Sequence, residues 1–210
     1  MVFYCPCTAD PSYTIYVGED KFENESLIAY GFPTDVWFHA DNFSSAHVYL
    51  RMKEGDTWDK LPSKVVEEVC HLTKDNSLKG RKESKLVIIY TPWDNLLKTT
   101  GMDTGSVSFK DPRLVRRISV GEINKDFVKN YKKNRIEEHP NFKREKEMWE
   151  SQIKKAAKQK AKEEKAAALA EINRVKAERQ ANSYDSLFDD IDDFQEKPDH
   201  DMADDEVDFM

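Results

Sequence analysis

The sequence predicts an α+β domain followed by a long charged α-helix and a disordered acidic tail. Three observations lead to this prediction. β-Branched and aromatic segments are grouped in residues 1–120, with few helical patterns between them. Residues 141–182 contain no Gly or Pro, and residues 183–210 carry 1 basic and 12 acidic residues. We therefore divide the chain into a domain at 1–120, a basic helical or coiled-coil-like extension at 121–182 and an acidic tail at 183–210.

The first half of the domain predicts two pairs of strands and two helices, with Gly, Pro and turn residues between them. Polar turn residues separate β-branched and aromatic runs in each strand pair. The first helical pattern presents Phe22, Leu27 and Ile28, and the second begins at a proline. The predicted elements are strands at Val2–Tyr4 and Tyr13–Val17, a helix at Lys21–Tyr30, strands at Val36–Ala40 and Ala46–Met52, and a helix from Pro62 to Leu72.

The pattern of residues 74–182 predicts three further strands, a basic loop and, beyond the domain, two helices. The loop at Lys74–Lys85 is polar, the run that follows it is apolar, and His139-Pro140 ends the first helical pattern. The last helix lacks a sustained apolar heptad stripe, so a free helix or one laid on a partner is favoured over a coiled-coil dimer. The predicted elements are strands at Leu86–Tyr90, Val107–Phe109 and Leu114–Val120, and helices at Ile123–Glu138 and Asn141–Asn182.

Charge is distributed unevenly along the chain. The net charge is −2 over residues 1–120, +6 over 121–182 and −11 over 183–210. A basic middle and an acidic end indicate contact with polyanions and a means of regulating that contact. The three cysteines have no framework or zinc-ligand spacing, which favours a reducing compartment. No secretion signal or membrane-length apolar run is present, so we expect a soluble protein of the cytoplasm, with the nucleus as a second compartment.

The stretch DVWFHADNFSSAHVYLRM, residues 35–52, holds two histidines eight positions apart. Ser44 and Ser45 lack the glycine-flanked elbow of a nucleophilic serine, and the chain has no phosphate-binding glycine loop and no HExxH motif. A metal site built from His39, Asp41 and His47 is an alternative, but no further ligand pair accompanies it. We therefore predict no catalytic residue, no metal and no cofactor.

Aromatic, hydroxyl and basic residues together favour a nucleic-acid interface, because bases stack on rings and phosphates bind cations. The rings of Trp37, Phe38, Phe43 and Tyr49 lie close to the histidines in sequence. Lys110 and Arg113 add to a later basic cluster. The predicted nucleic-acid-binding residues are Trp37, His39, Ser44, Ser45, His47, Lys74, Lys79, Arg81, Lys82, Lys85, Arg116 and Arg117.

Several of these residues carry a resemblance to a known family. The pattern Asp35-x-Trp37-x-His39 with His47-Val48, preceded by Gly18 and Asn24, resembles the NFACT-R domain, and Ser44-Ser45-Ala46 replaces its usual Pro-Gly-Ser. The length and the Lys/Glu/Ala helix resemble the small stand-alone members of that family. The resemblance implies an RNA-binding domain of the kind found in ribosome quality-control factors, with Gly18, Asn24, Asp35, Trp37, His39, Ser45 and His47 in its motif.

The leading hypothesis is a non-enzymatic RNA-binding protein that acts on tRNA or rRNA at the ribosome, in translation or its quality control. The alternative is a DNA-binding adaptor or sensor that recruits signalling or membrane-associated partners through its helix and tail. A coiled-coil scaffold is a third hypothesis, and a hydrolase that uses His39 and His47 ranks last. The acidic tail, Tyr184 to Met210, mixes aromatic residues with carboxylates and is expected to dock on a protein partner.

Overall fold

The computed structural model describes residues 1–181. Seven strands form one antiparallel sheet in the order β8-β5-β3-β4-β2-β1-β9, and β6 and β7 pair separately. The strands are β1 (Val2–Pro6), β2 (Thr14–Gly18), β3 (Asp35–Ala40), β4 (Val48–Arg51), β5 (Leu86–Pro92), β6 (Leu96–Leu97), β7 (Ser108–Phe109), β8 (Arg116–Val120) and β9 (Ile136–Glu138). The helices are α1 (Lys21–Tyr30), α2 (Ser63–Asp75), α3 (Lys125–Asn134) and α4 (Phe142–Ala181).

Both faces of the sheet are buried, and each carries its own hydrophobic cluster. Side chains alternate between the two faces along a strand, so Phe38 and Leu50 face one side while Trp37 and Tyr49 face the other. The first side packs against apolar residues of α2 and α3. The second packs against Leu27 of α1, the β6–β7 hairpin and the first residue of α4. The central strands are therefore apolar on both sides.

The predicted α+β class and the long C-terminal helix are confirmed. The first two strands pair as a hairpin, β3 and β4 pair as a second one, and α1 has the predicted bounds. Asp20 caps α1, because its side chain accepts hydrogen bonds from the backbone N–H groups of Phe22 and Glu23. Of the three apolar residues that α1 presents, Leu27 and Ile28 are buried, and the side chain of Phe22 is 66% exposed.

The region after residue 120 differs from the predicted boundary and from the predicted helix. The helix expected at 123–138 ends at Asn134, and Ile136–Glu138 instead pairs with β1 at the edge of the sheet. Phe127, Val128 and Tyr131 of α3 are buried in the core. The compact N-terminal unit consequently spans Met1–Glu150, beyond the expected domain of 1–120.

The start of α4 is held against the N-terminal unit by a lysine inside a group of aromatic rings. The ammonium of Lys146 lies 4.4 Å from the ring centre of Trp93, and 5.4 Å from those of Phe32 and Trp149. It also donates a hydrogen bond to the carbonyl of Gly31. A side chain at Gly31 would collide with the indole of Trp93, so the glycine is required for this packing. Cation–π contacts of this kind stabilise the packing of the first turns of α4.

The remainder of α4 is a continuous helix to Ala181, close to the predicted end. Across residues 1–181 no helix is both long and apolar enough to cross a membrane. The predicted acidic tail at 183–210 lies outside the described residues.

Candidate nucleic-acid interface

A surface depression of about 650 Å³ lies over one face of the sheet, at the ends of β3 and β4. Three segments form its walls: the start of α1 at residues 18–24, the loop at 41–46 and the loop at 104–107. Trp37, His39, His47 and Ile89 line it from the sheet. The histidine stretch identified from the sequence therefore borders a defined concave site.

Trp37 and the two histidines form a packed group. The indole Nε1–H of Trp37 donates a 2.9 Å hydrogen bond to Nδ1 of His47. The ring of His39 is parallel to that of Trp37, with the centroids 5.4 Å apart, and stands edge-on to that of His47 at 5.1 Å. Because Trp37 and His47 are buried, this group shapes and supports the depression.

Three of the four rings expected to stack on bases are inaccessible. Trp37, Phe38 and Tyr49 are fully buried, with Phe38 on the opposite face of the sheet. Phe43 lines the depression and is partly buried against the core. Both faces of β3 are covered. Each of its aromatic side chains therefore lies in one of the two hydrophobic clusters, and none reaches the surface.

Both histidines are held in the neutral form. Burial lowers the pKa of His39, and burial together with the nearby His39 ring lowers the pKa of His47 to about 3. The sequence suggested that these imidazoles bind phosphate oxygens. At neutral pH they supply no positive charge, and any phosphate contact falls to other residues.

The loop at 41–46 is fixed by hydrogen bonds that also bring the basic segment beside it. The Ser45 hydroxyl accepts from the Ala40 N–H at 3.0 Å and donates to the Ala46 carbonyl at 3.1 Å. The Ser77 hydroxyl donates to the carbonyl of Ser44 at 2.8 Å and accepts from the N–H of Gly80 at 3.1 Å. The serine pair and the segment after α2 are therefore neighbours, as the binding hypothesis requires.

The cationic segment consists of Lys79, Arg81, Lys82 and Lys85, all of which are exposed. Arg81 lies 3.4 Å from Asp75. Within residues 1–181 no hydrogen bond or ion pair engages the ammonium groups of the three lysines. These three ammonium groups are free to bind an anion.

Lys74 was predicted to belong to this group, and the structure places it in the interior. Helix α2 continues through Asp75, which turns Lys74 towards the core, where it is 1% exposed. Its ammonium donates to the carbonyls of Glu83 at 2.8 Å and Gly121 at 2.6 Å. Lys74 therefore anchors the end of α2 to β8 and to the basic segment, and it is not a surface cation.

Arg116 and Arg117 lie on opposite faces of the sheet, because they are adjacent in β8. Arg117 is in register with His39 across β5, and its guanidinium is 3.5 Å from the carboxylate of Asp41 at the depression. Arg116 lies over the ring of Trp58, 4.9 Å from its centre, on the side that carries α2. Only Arg117 belongs to the candidate interface.

The other two basic residues of this region are engaged locally. The ammonium of Lys110 donates to the carbonyl of Asp94 at 2.6 Å, and Arg113 forms an ion pair with Asp111 at 2.9 Å. Neither residue lines the depression.

The loop at 104–107 depends on residues that sequence reasoning did not assign to the site. The carboxylate of Glu25 accepts from the N–H of Gly105 at 2.6 Å and from the ammonium of Lys98 at 2.8 Å. The same ammonium donates to the carbonyls of Asp103 and Ser106. Gly105 has φ +84°, a conformation that favours glycine.

The remaining motif residues are structural or face the depression. Asp35 is buried and accepts from the Tyr16 hydroxyl at 2.7 Å and from the Arg51 guanidinium at 2.9 Å. Gly18 permits close approach of Asn24, whose Oδ1 would lie 3.2 Å from a Cβ added there. Asn24 lines the depression, and its Oδ1 is buried without a hydrogen-bond partner.

A metal site at the histidines is not assembled. Nδ1 of His47 is occupied by Trp37, and the carboxylate of Asp41 faces Arg117. Across the described part of the chain no three His, Cys, Asp or Glu side chains are grouped to hold a metal ion.

Helix α4 carries a second cationic surface, here called the lysine face: Lys154, Lys155, Lys158, Lys162 and Lys165. At 3.6 residues per turn these five positions fall within an arc of about 100°, and Lys160 lies at least about 120° from each of them. No acidic residue falls within that arc between Ser151 and Lys165. All five lysines are exposed.

Comparison with known proteins gives consistent matches. The family profile described as NFACT protein RNA binding domain matches residues 1–111. Coiled-coil domain-containing protein 25 of Bos taurus is 37% identical over 190 residues, covering 90% of this chain and 91% of the relative. The protein of that name from Danio rerio is 45% identical over 148 residues, covering 70% and 72%. The homolog from Dictyostelium discoideum is 53% identical over 109 residues, and this chain spans about half of it, 53%.

The fold is also found among solved structures. One of them is the C-terminal part of the fibronectin/fibrinogen-binding protein from Streptococcus suis, with a TM-score of 0.50 and 22% identity, covering 61% of this chain and 47% of that one. The resemblance drawn from the residues at 18–48 is thereby confirmed by an independent profile over the same region. Because that profile covers more than half of the sequence, and the cattle relative aligns over nine tenths of it, this chain belongs to the NFACT protein RNA binding domain family.

Proposed function

We propose that this protein is a non-catalytic RNA-binding protein that acts on tRNA or rRNA at the ribosome, in the cytoplasm. The observation that carries the proposal is the cationic segment, Lys79 to Lys85, whose lysines have no partner within the described residues. The segment follows Ser77, which is hydrogen-bonded to the 41–46 loop of the depression. The domain that holds them belongs to a family described by RNA binding. A cluster of free ammonium groups on an exposed segment matches the electrostatic footprint of a nucleic-acid interface.

The lysine face adds a second phosphate-binding surface outside the family domain. Successive lysines at 154, 158 and 162 rise about 6 Å apart along the helix axis. That spacing is of the order of the distance between successive phosphates of a nucleic-acid strand. A helix with cations along one side can follow such a backbone without reading its sequence. The family resemblance of residues 18–48 supports the proposal that the protein acts at the ribosome.

The proposal is tested by measuring how RNA affinity depends on salt. The full chain is compared with the variant K79Q/K82Q/K85Q in fluorescence anisotropy with a labelled tRNA. Each lost phosphate contact lowers the slope of log affinity against log salt by about 0.7–0.9, so a loss of about 2 is expected for three contacts. Affinity at 50 mM salt should fall at least about tenfold.

A control variant that loses the same charge elsewhere shows whether the loss of affinity comes from the cationic segment or from net charge alone. K125Q/K129Q/K133Q removes three exposed lysines of α3 and should change affinity less than about twofold. Equal losses in the two triple variants would remove the segment from the site. A DNA oligomer of the same sequence as the RNA probe tests the DNA alternative, which is favoured if DNA binds more tightly.

Ribosome association is tested separately by sedimentation. The full chain should co-sediment with ribosomal subunits at low salt, and K158Q should reduce this more than K160Q. The two substitutions remove the same charge from the same helix, but only Lys158 belongs to the lysine face. Co-sedimentation that is equal in the two variants would contradict a role for that face.

A further inference from the structure

The depression differs in chemistry from the cations beside it. Its lining carries three carboxylates, Glu19, Asp20 and Asp41, against one ammonium, Lys21. Asp20 is partly used as the cap of α1, and Asp41 faces Arg117. A phosphate placed inside this lining would meet net negative charge, so the depression is unsuited to the charged backbone of a nucleic acid.

The inner wall is rich in hydrogen-bond acceptors. Asn24 is 6% exposed, lines the depression and leaves its Oδ1 without a partner among residues 1–181. A buried acceptor without a donor is costly, and a ligand that supplies the donor removes that cost. The hydroxyls of Ser44 and Ser106 and the ring of His39 are the uncharged polar groups of the lining.

The depression has room for a flat heterocycle and offers a ring on which it can stack. A depression of about 650 Å³ lies within the range of roughly 300–1,000 Å³ that small-molecule sites occupy. The half-buried imidazole of His39 is parallel to the indole of Trp37, so a base stacked on His39 would extend an existing stack. Proteins that recognise RNA sequence commonly take up single bases in this way.

We propose that the depression receives one unpaired nucleobase with an exocyclic amino group, from an RNA strand whose phosphates lie on the cationic segment. This inference rests on the proposed RNA-binding function and specifies its ligand. Adenine, cytosine and guanine each present an amino group to the acceptor-rich lining. Uracil has no amino group and presents a single N3–H between two carbonyl oxygens, and a duplex has no free base to offer.

The test uses labelled twelve-nucleotide rA, rC and rU oligomers and an rA:rU duplex, with the full chain in fluorescence anisotropy. The rA and rC strands should bind at least about fivefold more tightly than rU or the duplex. Ser106→Trp fills the depression from an exposed position whose hydroxyl makes no hydrogen bond within the described residues. It should abolish the preference for rA and rC and leave the salt slope unchanged.

Two further variants make the test decisive. Thr100→Trp places the same ring at an exposed position of the same loop that does not line the depression, and it should bind like the unmodified chain. Asn24→Leu removes the buried acceptor at similar size and, with folding verified by thermal unfolding, should also lose the preference. Equal binding of rU and rA by the unmodified chain, or a preference that survives Ser106→Trp, overturns the inference and leaves RNA binding intact. Absence of binding to every oligomer at low salt overturns the proposed function as well.

Discussion

Asp35 carries a carboxylate that is removed from water, and four hydrogen bonds surround its two oxygens. The donors are the Tyr16 hydroxyl, the Phe32 N–H and two nitrogens of the Arg51 guanidinium. Arg51 also lies over the rings of Tyr16 and Phe32. The Arg51 side chain is 35% exposed, so removing it should cost less than the roughly 3–5 kcal/mol of a fully buried pair. This motif residue is therefore explained by the stability of β3 and β4, without any contact to a ligand.

His47 makes the stability of the protein depend on pH. Its pKa is about 3 in the folded protein, against a usual value of 6.5. Between those values the unfolded chain binds a proton that the folded protein excludes, so stability is lost as pH falls. Lowering the pH from 7 to 5 should lower the free energy of unfolding by about 2 kcal/mol through His47 alone. His39 acts in the same direction.

The measurement is urea denaturation of the full chain at pH 7 and pH 5. His47→Gln keeps an acceptor for the Trp37 indole and cannot be protonated. We expect the variant to lose about 2 kcal/mol less than the unmodified chain over this interval, whatever its stability at pH 7. Identical losses in both proteins would show that His47 does not control the response.

Single positions near the site were only partly predictable. Spacing in the sequence located His39 and His47, and turn chemistry placed the serines between them in a loop. The sequence could not show that Trp37 is buried. Hydrophobic alternation indicates which face of the sheet a side chain occupies, but not what covers that face. The Glu25 network joins residues about 80 positions apart, and local patterns carry no such information.

At the scale of elements, the end of α2 connects the interior to the cationic segment. Gly80 approaches Ser77 so closely that an added Cβ would lie 2.7 Å from its hydroxyl. The sequence pattern predicted a loop from Lys74, because polar residues replace the apolar pattern there. The helix continues because the Lys74 ammonium finds carbonyl partners in the interior. The β9 strand was missed for a similar reason, since it pairs with β1 more than 130 positions away.

The same substitution at two lysines five positions apart should have different effects on stability and on tRNA binding. Lys74→Gln removes charged hydrogen bonds in the interior and should lower the free energy of unfolding by about 2–3 kcal/mol. Lys79→Gln changes an exposed side chain and should stay within about 0.5 kcal/mol of the unmodified chain, while it weakens tRNA binding. Urea denaturation and anisotropy measured on both variants check this. The assignment fails if Lys79→Gln is the more destabilising of the two.

For the whole molecule, the distribution of charge matters more than its sum. The chain has a net charge of −7, of which residues 183–210 contribute −11, so residues 1–182 carry +4. Fields from such an excess extend about 10 Å at 0.1 M salt and act on any polyanion that approaches. This pattern was fully readable from the sequence, because it requires no knowledge of the fold.

Removing residues 183–210 should strengthen RNA binding at low salt. The change takes the net charge from −7 to +4, and we expect at least about a fivefold gain in tRNA affinity at 50 mM salt. The gain should shrink above about 0.3 M salt as screening increases. A tail of unchanged length with its aspartates replaced by asparagine should reproduce the effect. If only the deletion does so, the length of the tail and not its charge is responsible.

The two outermost strands of the large sheet, β8 and β9, both follow the last residue that matches the family profile. A polypeptide cut at residue 111 would leave β5 and β1 with open backbone N–H and C=O groups. Such edges template self-association into aggregates, so insolubility of that fragment would reflect missing neighbours and not a failure of its own residues to fold. The smallest piece suited to handling on its own therefore ends near residue 150, where the compact unit closes.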